Sequence, residues 1–181
     1  MLPVVVEVTP EIQEIAERWK ALRGQLPNSI EKDEGSVLGY IGEIVMGMLV
    51  GGRLLDDSRN HDLLMPDGTR AEVKSKGRSV PPLSEYEVSV WEGSRHQRPD
   101  LYHFVSVQGV KPDATGRWES YSYASYVGSL PYQEFWDEAR FKQAGVADKS
   151  SSNQHVGTAD CYNRFHSDLC NLLPNDGKGL L

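Results

Sequence analysis

A chain of 181 residues is long enough for one domain with a buried core, and a hydrophobic content of 39% is globular rather than disordered. The net charge of −7 counts against a protein that coats nucleic acid non-specifically through a basic surface, but not against an enzyme that meets nucleic acid locally through bound cations. No apolar run is long enough to cross a bilayer, the opening MLPVVVEVTPE lacks the basic region of a signal peptide, and two cysteines make no disulfide framework, so a reducing cytoplasm is the expected location.

The first predicted element is a helix over TPEIQEIAERWKALRG, with Thr9 as N-cap, Pro10 as its first residue and Gly24 as its stop. Ile12, Ile15, Trp19 and Leu22 recur along it at helical spacing. SVLGYIGEIVMGMLVGG predicts a second, more buried helix. Its Gly39, Gly42 and Gly47 lower helix propensity and suit close packing against the backbone. RLLDD, HDLLM and RAEVKS are strand candidates, the last two joined by the turn Pro66-Asp67-Gly68. In the stretch from Pro81 to Arg98, Tyr86, Val88 and Val90 alternate like a strand, yet a helix leading to Pro99 also fits. DLYHFVSVQGV is a buried strand and RWESYSYASYVG another, rich in tyrosine. PYQEFWDEARFKQAG is helical as far as Gly145. A polar loop, DKSSSNQHVGTA, precedes a short helix within ADCYNRFHSDLCNLL, and the last seven residues fray. There is no internal repeat and no linker. The expectation is one α/β domain over 1–181, with its motif-bearing core at about 36–107 and an extension at about 117–173.

The chemistry concentrates on one hairpin. Glu72 and Lys74 are two residues apart on a strand and share a face, while Val73 points to the other face and a core. Asp62 opens the partner strand. Two carboxylates held close together repel unless a proton or cation lies between them. A hard divalent cation bound by carboxylates, a backbone carbonyl and water resolves that conflict, and Lys74 beside it can steady an oxyanion or orient a water. These are the parts of metal-assisted phosphodiester hydrolysis. Charge patterning agrees. The first 36 residues are acidic, whereas between Arg70 and Arg98 six basic residues stand against four acidic ones.

The arrangement resembles the PD-(D/E)xK nuclease superfamily, with its restriction-endonuclease-like fold. Asp62 followed by Glu72-Val73-Lys74 matches its two strand elements, and Glu43 in GYIGEIV matches its helical glutamate. His61 stands where the family's pattern has proline. Gln97, in SRHQRPDLY, matches a polar residue frequent on the next element. The C-terminal part also looks like that of compact phage and prokaryotic members. The resemblance implies a central mixed sheet of four or five strands flanked by helices. It also implies a deoxyribonuclease using Mg²⁺ or Mn²⁺ held by Glu43, Asp62, Glu72 and the Val73 carbonyl, with Lys74 acting on the water or the phosphorane charge. Lys76, Arg95, His96, Gln97 and Arg98 are the expected DNA contacts, and a homodimer would allow paired cuts.

Other readings stand beside this one. Glu72 and Lys74 also fit a solvated cross-strand pair, and Asp62 a simple turn cap. Glu43 lies among Ile41, Ile44, Val45 and Met48, where a carboxylate needs a partner. His155, Cys161, His166 and Cys170 match no standard zinc module. Cys161, Phe165, Leu169 and Leu172 would be core positions on a helix, making the cysteines buried and structural. NDGKGLL has no Walker spacing. The tyrosines and Trp118 read as packing material before base-stacking platforms. The competing class is a non-catalytic DNA-binding or assembly protein that keeps the nuclease fold. A third reading is a structural interaction domain in which the Glu72–Lys74 pair is incidental.

Overall fold

The computed structural model describes residues 3–25, 37–55, 61–110, 118, 120–146, 159–171 and 173. Most of the expected polar loop with His155, together with Leu172 and the segment 175–181, lies outside the described residues. In chain order the elements are β1 (Val4–Glu7), α1 (Pro10–Gly24), α2 (Val37–Val50), β2 (Arg53–Leu54), β3 (Leu63–Leu64), β4 (Arg70–Arg78) and β5 (Glu87–Trp91). A 3-10 turn (Glu92–Gln97), β6 (Leu101–Gly109), β7 (Tyr121–Pro131), α3 (Tyr132–Glu138), β8 (Arg140–Lys142), β9 (Cys161–Phe165) and a 3-10 turn (His166–Asp168) complete it.

The fold is mixed α/β. Six strands form one sheet in the order β1-β7-β6-β4-β3-β2, and three form a second in the order β5-β9-β8. Every pairing is antiparallel except β4 with β6. Parallel neighbours need a long crossover, and residues 79–100, carrying β5 and a 3-10 turn, provide it. The small second sheet is thereby tied to the main one.

The alternation of strand side chains divides the main sheet into two packed faces. Ala71, Val73, Val105, Val107, Ala124 and Tyr126 face α1 and α2 in one cluster. Tyr102, Phe104 and Leu130 face Val88, Val90, Phe135 and Trp136 in another. Gly42 explains how closely α2 approaches: a Cβ there would lie 1.9 Å from Ser75 Oγ. Gly39 has no such neighbour, so its expected packing role does not hold.

α1 begins as expected. The Ile12 amide donates to Thr9 Oγ1 at 3.4 Å and Pro10 starts the helix. Its buried stripe is Ile12, Ala16 and Arg23, whereas Ile15 and Leu22 are exposed. The turn Met65 to Thr69 closes on two backbone bonds of 2.8 and 2.9 Å, with Gly68 at positive φ. The ambiguous stretch after Pro81 resolves into β5, because Val88 and Val90 fill the second core.

The C-terminal third departs from expectation. The helix from Pro131 ends at Glu138 rather than Gly145, since Arg140–Lys142 pairs with β9 and delivers Arg140 and Lys142 to the Glu87 carboxylate. Cys161–Phe165 is a strand, not a helix, so its side chains alternate between faces. Cys161 is only partly buried and Cys170 is exposed, both as free thiols, so the buried structural role does not hold. The sheet also has six strands rather than four or five. Trp118 stacks on Tyr121 with centroids 6.4 Å apart, and both pack against the main core. Among the described residues, no helix is long and apolar enough to cross a membrane.

Candidate active site

β3 is only two residues long, so β4 runs on past it with an unpaired edge. Asp62 lies just ahead of β3 and takes over the pairing. Its amide donates to the Ala71 carbonyl at 3.1 Å, and its Oδ2 accepts from the Val73 amide at 2.8 Å. A strand residue presents its N–H and C=O to the same edge. The Val73 carbonyl therefore faces the edge where the Asp62 carboxylate sits.

On the face away from α2, Lys74 Nζ donates to Glu72 Oε1 at 2.8 Å. This is not a solvated surface pair, because Glu72 is 4% exposed. Its other oxygen, Oε2, is buried with no hydrogen-bond partner among the described residues. A charged oxygen left so is costly, and it marks a place for a cation, a water or a proton. Burial first, and then the Glu72 charge, raises the Asp62 pKa from 3.8 to about 7; Lys74, the Val73 amide and Arg23 pull the other way. Asp62 and Glu72 are thus two buried acids that feel each other's charge.

Glu43, the third expected acid, projects from α2, and its Oε2 accepts from Arg23 Nη1 at 2.9 Å. Arg23 comes from the last turn of α1, is 1% exposed, and lies 5.3 Å from the Tyr40 ring centroid. Its guanidinium is shared between a bond to Glu43 and a field that favours ionised Asp62. The structure therefore brings Asp62, Glu72 and Lys74 together and joins Glu43 to them through an arginine. Among the described residues, no group of three or more His, Cys, Asp and Glu side chains gathers as a metal cage. Two carboxylates, one with an orphaned oxygen, and a neighbouring carbonyl make an all-oxygen donor set that fits a hard divalent ion, with water completing its shell.

Arg23 was missed by motif reasoning. The signal was present: Ile12, Ala16, Trp19 and Arg23 fall on one helical stripe, so a cation stood where the core begins. His61 is a second omission. It is buried and close enough to Asp100 to help lower that carboxyl's pKa, after the larger effect of Arg70. Arg70 and Asp100 tie the start of β4 to the residue just ahead of β6 with bonds of 2.9 to 3.1 Å.

The expected DNA contacts divide. The Arg95 guanidinium lies 4.8 Å from the Trp136 ring centroid, and His96 Nδ1 is 2.6 Å from the Gly93 carbonyl oxygen. Gln97 Oε1 is buried without a hydrogen-bond partner among the described residues. Arg98 is exposed with φ of 44°, a strained value for a residue with a side chain. Lys76 Nζ reaches the Glu87 carbonyl at 3.4 Å. No family model matches the chain, and no curated protein matches it.

Proposed function

We propose that the protein is a metal-dependent deoxyribonuclease with a restriction-endonuclease-like core. The observation that carries this reading is the pair of buried, mutually repelling carboxylates, Asp62 and Glu72, with Glu72 Oε2 unpartnered and Lys74 bonded alongside. Asp62, Glu72 and the Val73 carbonyl would hold Mg²⁺ or Mn²⁺. Such an ion supplies polarisation of a phosphate and a more acidic bound water. Lys74 donates to Glu72 Oε1 and places positive charge where a phosphorane would accumulate negative charge. Arg23 neutralises Glu43 and biases Asp62 toward its ionised form.

The test is incubation with linear, circular, single-stranded and branched DNA under Mg²⁺, Mn²⁺, Ca²⁺ and EDTA, with melting curves in parallel. Cleavage under Mg²⁺ or Mn²⁺, together with a metal-dependent rise in melting temperature that Asp62→Asn abolishes, is the expected result. No cleavage and no thermal response to any metal would overturn it. The Arg23–Glu43 bond favours one other reading, a DNA-binding or assembly protein of the same fold, in which both acid–base pairs are permanent and metals leave DNA affinity unchanged.

A further inference from the structure

Behind Lys74, between the two sheets, lies a cavity of about 180 Å³. Lys74, Lys76 and Arg78 of β4 line it, with Ser89 of β5, Ser106 of β6 and His166. Its charges do not balance locally. Lys74 is taken by Glu72. The Glu87 carboxylate is occupied by Arg140, by Lys142 at 2.5 Å and by Asn163 at 3.0 Å. Lys76 and Arg78 converge instead on one neutral acceptor, the Glu87 backbone carbonyl, at 3.4 and 3.1 Å. Neither is hydrogen-bonded to a carboxylate among the described residues. Two cations directed at a single neutral oxygen repel each other and leave positive charge over the cavity.

The lining also holds unused polar atoms. Ser106 is 2% exposed and its Oγ has no hydrogen-bond partner among the described residues, and Arg78 Nε is buried and likewise unpartnered among them. Buried polar atoms of this kind are costly unless something completes them. An anion with several acceptor oxygens would complete both and offset the two cations. Ser106, 2% exposed, belongs to the cavity wall, and about 180 Å³ is room for a single phosphate group.

We propose that this cavity binds a single doubly ionised phosphate group, presented as the terminal phosphate of a polynucleotide whose neighbouring linkage reaches the Asp62–Glu72 site. The nucleic-acid source rests on the proposed nuclease function; the binding of phosphate does not. Lys74 belongs to both places, which makes it the link between end recognition and cleavage.

The test starts in EDTA, where nothing is cut. Inorganic phosphate is titrated into the full chain and followed by its ³¹P resonance, for wild type, Lys76→Met, Arg78→Met and, as a control, Arg18→Met on the outer face of α1. Saturable binding that weakens at least tenfold in both cavity variants and not in the control is expected. Lys76 is exposed as a residue, so Lys76→Met carries the test even if Arg78→Met fails to fold. Oligonucleotides ending in 5′-phosphate, 3′-phosphate or hydroxyl are then compared under Ca²⁺, with at least tenfold tighter binding expected for one of the phosphorylated ends. No saturable phosphate binding, or unchanged binding in Lys76→Met, overturns the proposal. Phosphate binding with equal affinity for all three ends overturns the terminal assignment. Phosphate binding by a protein that cuts no nucleic acid keeps the cavity and overturns the nuclease source.

Discussion

Asp62→Asn is the substitution with the clearest consequence. The amide keeps the size of the carboxylate and an oxygen to accept from the Val73 amide, but it removes the buried charge. A carboxyl moved from 3.8 to about 7 costs about 4 kcal/mol to ionise in the fold, at about 1.4 kcal/mol per pH unit. The sign follows from proton binding. Between pH 4 and 7 the folded state holds the Asp62 proton more tightly than the unfolded chain does. Asp62 therefore lowers stability progressively as pH rises through that window. His103 and His166, whose pKa values burial depresses to about 4, act oppositely and favour the fold as pH rises from 4 to 6.5. The wild-type profile alone mixes these slopes, so the variant must be compared with wild type at each pH. Without metal at pH 8, Asp62→Asn should be more stable by about 1 to 4 kcal/mol, or about 3 to 12 °C in melting temperature for a chain of this size. The gain should shrink toward zero near pH 4. Added Mn²⁺ should raise the wild type and not the variant, reversing their order. Thermal melts at half-unit pH steps, with EDTA or Mn²⁺, read all of this. A difference between the two proteins that stays constant from pH 4 to 8 would refute the coupled-acid site.

Lys74→Ala should keep Mn²⁺ binding by calorimetry and lose about a hundredfold or more in cleavage, since its charge acts on the transition state; wild-type turnover would reduce it to a structural pair. Arg23→Met should cost about 3 to 5 kcal/mol in a denaturant titration at pH 7, because it removes the guanidinium that pairs with the buried Glu43 carboxylate, and the double variant with Glu43→Gln should recover part of that loss. Gly128→Ala should destabilise by about 2 to 4 kcal/mol in the same assay. Its φ of 141° disfavours a side chain, and the new Cβ would lie 2.4 Å from Leu169 Cβ. The anion cavity carries its own expectation, a tenfold loss of phosphate affinity in Lys76→Met.

Local chemistry carried much of this protein in its sequence. Thr9 and Pro10 start α1, Pro66 to Gly68 turn the hairpin, and the alternation around Val73 separates Glu72 and Lys74 from the core. Each depends on residues a few positions apart, so a sequence window contains the whole cause. The pairing of Glu72 with Lys74, and the nearness of Asp62, follow from the same short range. Long-range pairing decided the rest. Whether Arg140–Lys142 continued α3 or joined a sheet depended on β9 and on the Glu87 carboxylate, more than fifty residues upstream. Arg23 reaches Glu43 across twenty residues because α1 and α2 pack on one face of the sheet. The cavity behind Lys74 exists only because the crossover between β4 and β6 places a second sheet opposite the first. Burial turned ordinary acids and bases into a coupled site, and burial is a property of the packed whole rather than of any segment.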